Sequence, residues 1–384
     1  MGIDLEKLLL DAKDKEASDV HIKVGHPPIF RIYGKLYFRD NYPVVTREDT
    51  EELIRNYLTP AKQKELRERY SVDVAFSFPN IGRFRVNIFS QRGTWSFAIR
   101  AIPPLIKTIK DLNLPPVLEK MAMEDRGLIL VTGVAGSGKS TTLAAILNHI
   151  NVNKAVHIIT IEDPIEYLLR DIKSIISQRE VGLDVLSFAD GLREALRQDP
   201  NVIMVGEIRD EETAAIALLA AETGHLVLST LHTLDARETI NRIISIFPAH
   251  QQEQIRHQLA SVLKAIVSQR LIPRDDIPGR IPACEVMVNT ARIREMILDP
   301  KRTHEIFDAI ADGYIPYGMQ TFDQSLYYWY KLGYISEETA LAYATKREIL
   351  ELRMKGIASG GEGGRNWEIF ERMALRKVQE KGGI

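Results

Sequence analysis

One short stretch of this sequence has the residue types that bind phosphate. Residues 133–140 read GVAGSGKS, which fits the pattern G-x-x-x-x-G-K-[ST]. Glycines let backbone N–H groups close around phosphate oxygens, the lysine adds a mobile positive charge, and the serine hydroxyl can ligate Mg²⁺. The residues that we expect to contact a nucleoside triphosphate are Gly133, Gly136, Ser137, Gly138, Lys139, Ser140 and Thr141.

A phosphate loop must lie between a strand and a helix, and the sequence predicts both. Leu128 to Val131 is a short apolar run, typical of a buried strand. From Thr141 onward, Leu143, Leu147 and Ile150 are spaced for one apolar helix face, and this helix would direct its positive end at the bound anion. These flanking elements favour a nucleotide site over a glycine-rich turn with a chance lysine.

Acidic residues follow two further predicted strands. The run 202–207 reads VIMVGE, and residues 158–166 read IITIEDPIE. Because parallel strands end at the same edge of a sheet, Glu207 would lie where such enzymes hold Mg²⁺ or its water. A carboxylate of the second segment could accept a proton from an attacking water. Solvated surface turns are the alternative, but their place downstream of a phosphate loop favours function.

A histidine follows a third predicted strand at the same edge. His232 comes directly after residues 226–231, which read LVLSTL. A histidine in such a position is often structural, yet its location favours a role in sensing the nucleotide. No compact set of histidine, cysteine and aspartate has the spacing of metal ligands, so we do not expect a metal site built from such a set.

The composition is that of an ordinary globular protein. Apolar residues make up 45%, charged residues make up 27% and the net charge is −2, so the charge gives no reason to expect a nucleic-acid partner. Cys284 is the single cysteine, which excludes an intramolecular disulfide and suits a reducing cytoplasm. The sequence has no signal-peptide pattern and no run near the ~20 apolar residues of a membrane span.

The length of 384 residues predicts two or three domains. Helix and strand patterns in residues 1–101 indicate a small α+β domain, and a proline-containing linker follows at 102–111. In residues 112–355 strands and helices alternate before a more helical C-terminal part, which predicts an α/β domain with a mainly parallel sheet. Residues 356–384 are expected to form a flexible glycine-rich tail and a charged terminal segment.

Four motifs, taken in order and spacing, resemble those of the secretion and pilus ATPase superfamily. Beyond the phosphate loop they are TIEDPIEY at 160–167, VIMVGEIRD at 202–210 and GHLVLSTLHT at 224–233. The likeness extends from ASDVHI near the N-terminus to GMQTFDQSL at 318–326. Within the superfamily the chain is most similar to the type IV pilus retraction ATPases.

This resemblance implies roles that the spacing alone does not give. Family members are hexameric rings in which a PAS-like N-terminal domain and a RecA-like C-terminal domain hold ATP at their junction. Glu207 matches the atypical Walker B glutamate, Glu166 the proposed general base and His232 the histidine-box residue. Arg85 and Arg100 match N-terminal arginines that reach the γ-phosphate. Without the resemblance, both arginines would be interpreted as exposed strand residues.

The expected function is therefore a homo-hexameric, ATP- and Mg²⁺-dependent motor that powers pilus retraction and twitching motility. Its implied partners are an inner-membrane platform protein and, indirectly, pilin, and no nucleic acid is expected. Its implied location is the cytoplasm, peripheral at the inner face of the inner membrane.

Three alternatives remain open. Pilus-assembly and type II secretion ATPases share the core, but they usually carry an additional N-terminal domain and a four-cysteine zinc insertion. We expect neither, since the chain starts almost directly with the PAS-like domain and has only Cys284. The other two are a RecA-like nucleic-acid motor, which would need a basic pore or stacking loops, and a switch that binds ATP but barely hydrolyses it.

One departure from the retraction pattern concerns residues 292–296. They read RIREM, where the retraction ATPases carry an AIRNL-type stretch, so Glu295 stands in place of the usual asparagine. This departure weakens the retraction interpretation slightly and leaves the ATPase interpretation unchanged.

Overall fold

The computed structural model describes residues 2–102, 106–357 and 364–382. The chain divides into two compact units: the smaller comprises Met1–Leu105 with Pro164–Leu168, and the larger comprises Ile106–Asp163 with Leu169–Ile384. Part of the predicted linker (103–105) and the glycine-rich part of the predicted tail (358–363) lie outside the described residues.

The smaller unit is an antiparallel sheet with three helices. Its strands are β1 (Asp19–Lys23), β2 (Ile29–Ile32), β3 (Lys35–Phe38), β4 (Ser71–Phe78), β5 (Gly82–Gln91) and β6 (Thr94–Ile102). Its helices are α1 (Leu5–Asp14), α2 (Arg47–Tyr57) and α3 (Pro60–Arg69). The strand order is β3-β2-β1-β6-β5-β4. The α+β prediction for this part of the chain is confirmed.

Local sequence explains these elements. Val20 and Ile22 are buried while their neighbours on β1 are partly exposed, as expected for a sheet covered on one face. Thr46 and Asp49 form a capping box that starts α2, and Pro60 occupies the first turn of α3. Leu8 of α1 is fully buried in the core of this unit.

The larger unit is built on seven strands. They are β7 (Gly127–Thr132), β8 (His157–Glu162), β9 (Ile175–Glu180), β10 (Val202–Val205), β11 (Leu226–Leu231), β12 (Leu263–Pro273) and β13 (Arg280–Val288). The first helices are α4 (Val117–Ala122), α5 (Lys139–Asn153), α6 (Phe188–Ala195), α7 (Glu211–Glu222), α8 (Ala236–Ser245) and α9 (Gln252–Val262). The later ones are α10 (Ala291–Leu298), a 3₁₀ helix (Pro300–Glu305), α11 (Ile306–Asp312), α12 (Tyr314–Tyr317), α13 (Phe322–Lys331), α14 (Glu337–Tyr343), α15 (Arg347–Met354) and α16 (Gly364–Gly382).

The sheet of the larger unit has the order β13-β12-β7-β11-β10-β8-β9. All neighbouring strands are parallel except β12 and β13. Every residue of β7 is buried because hydrophobic cores cover both faces of the sheet, with Leu128 in one core and Ile129 in the other. The predicted α/β fold with a mainly parallel sheet is confirmed.

The C-terminal helix α16 packs on an aromatic surface of the larger unit. Trp367 meets the ring of Tyr327 edge-on at 5.3 Å, and the rings of Phe370 and Tyr314 lie 4.5 Å apart. Tyr314 belongs to α12 and Tyr327 to α13. Among the described residues, no helix has both the length and the apolar character that crossing a membrane requires.

Candidate functional site

The phosphate loop connects β7 to α5, as the sequence predicts. Gly133, Gly136 and Gly138 have φ angles of 141°, 77° and 93°, which side chains with a Cβ rarely adopt. The helix begins at Lys139, directly after Gly138, so its unpaired N–H groups lie at the end of the loop. This is the geometry of an anion-binding helix terminus.

Strand β12 packs tightly against the loop. A Cβ atom on Gly133 would lie 2.4 Å from the carbonyl oxygen of Gln269, and one on Gly138 would lie 2.9 Å from its Nε2 atom. Thr142 of α5 donates a hydrogen bond to Oε1 of Gln269 at 2.7 Å. Thr132 donates likewise to Ser268 at 2.9 Å. The loop therefore depends on two polar residues that the sequence reasoning missed, although their place inside an apolar strand could have indicated them.

The polar side chains of the loop differ in exposure. Lys139 is buried, and its ammonium group donates to the carbonyl oxygens of Gly133 (2.8 Å) and Val134 (3.1 Å). Ser137 is buried within the loop, whereas Ser140 is exposed and Thr141 is partly exposed on the first turn of α5. The Ser140 hydroxyl is accordingly accessible at the same helix end as the glycine cradle.

The strand order brings three of the predicted motifs to one sheet edge. Strand β11 pairs with β7 on one side and with β10 on the other, all in parallel register. The phosphate loop follows β7, Glu207 follows β10 and His232 follows β11. Their carboxyl-terminal ends are the usual position of ligand sites in parallel sheets.

Glu207 and His232 contact each other at this edge. An oxygen of Glu207 lies 3.5 Å from Nε2 of His232, and the carboxylate also pairs with Arg209. The hydrogen bond that Arg209 donates to Glu207 raises the pKa of Arg209, although partial burial acts in the opposite direction. The side chain of Glu207 is 14% exposed and that of His232 is 55% exposed, so the histidine is accessible and the glutamate is held.

Backbone contacts fix the segment that carries Glu207. The N–H of Gly206 donates to Ile161 of β8 at 2.8 Å, and the carbonyl of Gly206 accepts from the Thr230 hydroxyl at 2.7 Å. The N–H of Ile208 in turn donates to the carbonyl of Thr230 at 3.1 Å. The residues before and after Glu207 are thus bound to both neighbouring strands.

A buried carboxyl group supports the loop that follows His232. Glu285 of β13 accepts a hydrogen bond from the N–H of Ala236, the first residue of α8, at 2.8 Å. Burial raises the pKa of Glu285 to about 7, against the opposite effect of this hydrogen bond. Arg270 lies nearby and stacks on Phe322 at 3.8 Å; burial lowers its pKa. The sequence reasoning did not identify this group.

The acidic box is divided between the two units. Glu162 ends β8 in the larger unit, where one of its oxygens accepts from Thr160 (2.6 Å) and Gln178 (3.0 Å). Glu166 belongs to the smaller unit, and its carboxylate lies 3.8 Å from the guanidinium of Arg85. The segment around Glu166 is held by Arg83, which donates to the carbonyl oxygen of Ile165 at 3.2 Å.

Arg85 and Arg100 are cross-strand partners in the smaller unit. They lie directly opposite each other on β5 and β6, and the next partners across the sheet are Asp19 and Arg31. Arg100 donates to Asp19 at 2.9 Å, whereas Arg31 lies 3.7 Å from the same carboxylate. Three arginines and one aspartate therefore form a row on one sheet face, which we call the arginine row.

The pKa of Asp19 is lowered by its neighbours. Burial alone would raise it, but hydrogen bonds from Ser18 and Arg100 and the charge of Arg100 together lower it. Arg100 remains 73% exposed and Arg85 45% exposed. Like charges directly opposite each other destabilise a sheet, and here Glu166 and Asp19 lie beside the guanidinium groups of Arg85 and Arg100.

The larger unit combines a mainly parallel sheet with a glycine phosphate loop. Carboxylate and histidine side chains lie at the ends of the neighbouring strands. Together these features define a P-loop nucleotide-binding protein. The family model described as type II/IV secretion system protein matches residues 2–304, and the chain belongs to this family.

The chain is similar to two pilus ATPases and to one solved structure within this family. The chain is 41% identical to the type IV pilus retractation ATPase PilT of Pseudomonas aeruginosa, over 88% of this chain and 97% of the relative. It is 40% identical to the type IV pilus ATPase PilU of the same organism, over 92% of each chain. A crystal structure of the pilus retraction motor PilT with bound ADP superposes with a TM-score of 0.83 at 44% identity, covering 91% of this chain and 99% of the other.

Proposed function

We propose that this protein is an ATP-hydrolysing motor that powers type IV pilus retraction. The observation that carries the proposal is the sheet edge where the phosphate loop lies beside the Glu207–His232 contact. This edge provides a cradle for the phosphates together with the carboxylate of Glu207 and the imidazole of His232. The similarity to proteins named for pilus retraction supports the mechanical part of the proposal.

The residues at this edge fit a nucleotide with bound Mg²⁺. Ser140 offers an accessible hydroxyl, and Glu207 offers a carboxylate that is held in place. Mg²⁺ commonly takes one or two protein oxygens and completes its shell with water and phosphate, so a larger cluster of acids is not needed. When bound, the ion neutralises charge that develops on the phosphates. Lys139 would then turn from the loop carbonyls to the phosphates.

Further roles are assigned by resemblance and by the chemistry of the side chains. Glu166 would accept the proton of the attacking water, and His232 would respond to the γ-phosphate through its contact with Glu207. Arg85 and Arg100 would bind the developing phosphate charge, because guanidinium groups match phosphate oxygens in a bidentate way. Their exposure leaves both arginines accessible to a ligand.

The working assembly would be a homo-hexamer. ATP binding and release would change how the smaller unit of one copy engages the nucleotide site, and this change would be passed to an inner-membrane platform protein. Pilin subunits would then leave the base of the pilus. The protein would act in the cytoplasm, peripheral at the inner face of the inner membrane.

ATP turnover tests the chemical part of the proposal. Lys139→Ala removes the ammonium group that reaches the phosphates, and we expect steady-state hydrolysis to fall at least a hundredfold. Lys173→Ala, which removes an exposed lysine elsewhere in the larger unit, is the matched control and should leave turnover unchanged. Near-normal hydrolysis by Lys139→Ala would contradict the proposed site.

Filament counts test the mechanical part. Cells that lack the gene should keep or accumulate surface pili while losing twitching motility, and the wild-type gene should restore motility whereas the Lys139→Ala gene should not. Bald cells would instead assign the motor to pilus assembly.

A further inference from the structure

The larger unit contains a cavity of about 900 Å³ that lies apart from the phosphate loop. Its lining comes from residues 109–124, from β12 and β13 with the following turn, from residues 314–329 and from α16. None of residues 133–141 contributes to it. Two of these walls lie beyond residue 304, where the match to the family model ends. A volume of this size is within the range of small-molecule sites.

Aromatic rings form one side of the cavity. Tyr314 and Phe370 lie 4.5 Å apart, and Tyr328 and Trp329 lie 4.8 Å apart. The indole N–H of Trp329 donates to the carbonyl oxygen of Pro282 at 2.8 Å, which fixes the ring without water. These contacts hold the rings in place before any ligand arrives, which reduces the entropic cost of binding a flat molecule.

The cavity lining carries more positive than negative charge. The lining includes four lysines and only two acidic residues; the lysines are Lys110, Lys120, Lys264 and Lys377. One of the acids, Glu124, is paired with Lys264 at 2.8 Å. The ammonium group of Lys377 lies 5.8 Å from the ring of Trp329, and Lys110 and Lys120 are exposed at the cavity. An anion that enters would therefore meet a positive potential, strengthened by the low-dielectric walls.

We propose that this cavity binds a small organic anion with a flat ring, of the nucleotide class, at a second site separate from the phosphate loop. The partly exposed rings of Tyr314 and Tyr328 would stack on the base, and the lysines would bind the phosphate. This inference does not depend on the proposed motor function, because it stands on a different set of residues.

Binding of a fluorescent nucleotide provides the test. The probe is AMP that carries a methylanthraniloyl group, titrated into the full-length Lys139→Ala protein so that the phosphate loop contributes little. We expect saturable binding with energy transfer from tryptophan, since Trp329 lines the cavity. Adding Lys110→Glu with Lys120→Glu should weaken binding at least tenfold. Adding Trp329→Phe together with Trp367→Phe should remove most of the energy transfer while calorimetry still detects the probe, because Trp367 lies on α16, which also lines the cavity.

A matched double variant controls for overall charge. Lys107→Glu with Lys173→Glu changes the charge of the larger unit by the same amount at two exposed lysines outside the cavity, and it should leave binding unchanged. Absence of saturable binding in the Lys139→Ala protein, or equal weakening by both double variants, would overturn the proposal. Hydrolysis is measured separately with Lys139 intact, so failure at the cavity is distinguishable from failure of the motor function.

Discussion

The two units carry complementary groups that are held in different ways. In the larger unit, Glu207 is 14% exposed and its neighbours are bound to both flanking strands, so the sheet holds the carboxylate in place. In the smaller unit, Arg100 is 73% exposed and contacts a single aspartate. The carboxylate of the larger unit is therefore fixed by its surroundings, whereas the guanidinium groups of the arginine row are open to solvent.

The arginine row offers the largest expected effect. Arg100→Ala should lower hydrolysis by about 10³-fold, the lower end of what arginines supply in other phosphoryl-transfer enzymes, while nucleotide affinity changes little. Steady-state turnover and nucleotide titration measure the two quantities. Arg31→Ala is the matched control, since Arg31 faces the same Asp19 from the opposite side. Equal losses in both variants would mean that the row acts through its overall charge alone.

The buried Glu285 predicts how the stability of the larger unit changes with pH. Its pKa of about 7 lies above the ordinary 4.5, so the folded state binds the proton more tightly than the unfolded state. The resulting stability is fully present below pH 4.5 and is lost as the pH rises to about 7, by at most about 3 kcal/mol. Glu285→Gln should remove this dependence of the free energy of unfolding on pH and make the protein more stable than wild type at pH 7.5.

Urea unfolding checks the Glu285 prediction. In a Trp95→Phe background the two remaining tryptophans, Trp329 and Trp367, both report on the larger unit. Glu295→Gln changes an exposed glutamate on α10 and should keep the wild-type pH dependence. If the free energy of unfolding falls equally between pH 4.5 and 7 in wild type and in Glu285→Gln, the buried carboxyl group does not cause the pH dependence.

Glu207 provides the next effect in size. Glu207→Gln keeps the shape of the side chain but removes its charge, and hydrolysis should fall by about 10²-fold with ATP binding retained. Glu211→Gln alters an exposed carboxylate four residues away and should have no effect. Turnover at saturating ATP is the measurement, and a loss below threefold would contradict the catalytic role.

The smallest expected effect concerns the support beneath the phosphate loop. Gln269→Leu leaves the Thr142 hydroxyl buried without its partner, and we expect about tenfold weaker ATP binding, which corresponds to about 1.4 kcal/mol. Adding Thr142→Val removes the other partner, so the double variant should bind almost as well as the better single variant. Strictly additive losses would show that the two side chains do not act together.

Local signals predicted much of this molecule. The phosphate loop and the alternation that gives a mainly parallel sheet depend on residues close in sequence. The capping box of Thr46 and Asp49, found in the structure, is a local signal of the same kind. The placement of Glu207 and His232 at one sheet edge also followed, because both come at the ends of parallel strands; the contact between them is a finding of the structure. The pairing of Arg85 with Arg100 could also have been predicted from the sequence, because the two-residue turn at Arg92 and Gly93 sets the register of β5 and β6.

Other features depend on contacts between distant parts of the chain. Gln269 supports the phosphate loop only because β12 inserts beside β7, more than a hundred residues away in sequence. The buried state of Glu285 depends on β13 pairing with β12 and on the start of α8. The sequence also did not predict that the acidic box is divided between the two units. Glu162 and Glu166 are only four residues apart, and nothing in their residue types assigns them to different units.

The exposure of the arginine row limits how far its influence reaches. Mobile ions screen a surface charge within about 8 Å at physiological salt, so guanidinium groups open to solvent do not gather nucleotide from bulk solution. Under the proposed function they would act on a phosphate only within contact distance, where counter-ions are displaced. Raising ionic strength should therefore slow the capture of nucleotide much less than it weakens the engagement of a phosphate already beside Arg100.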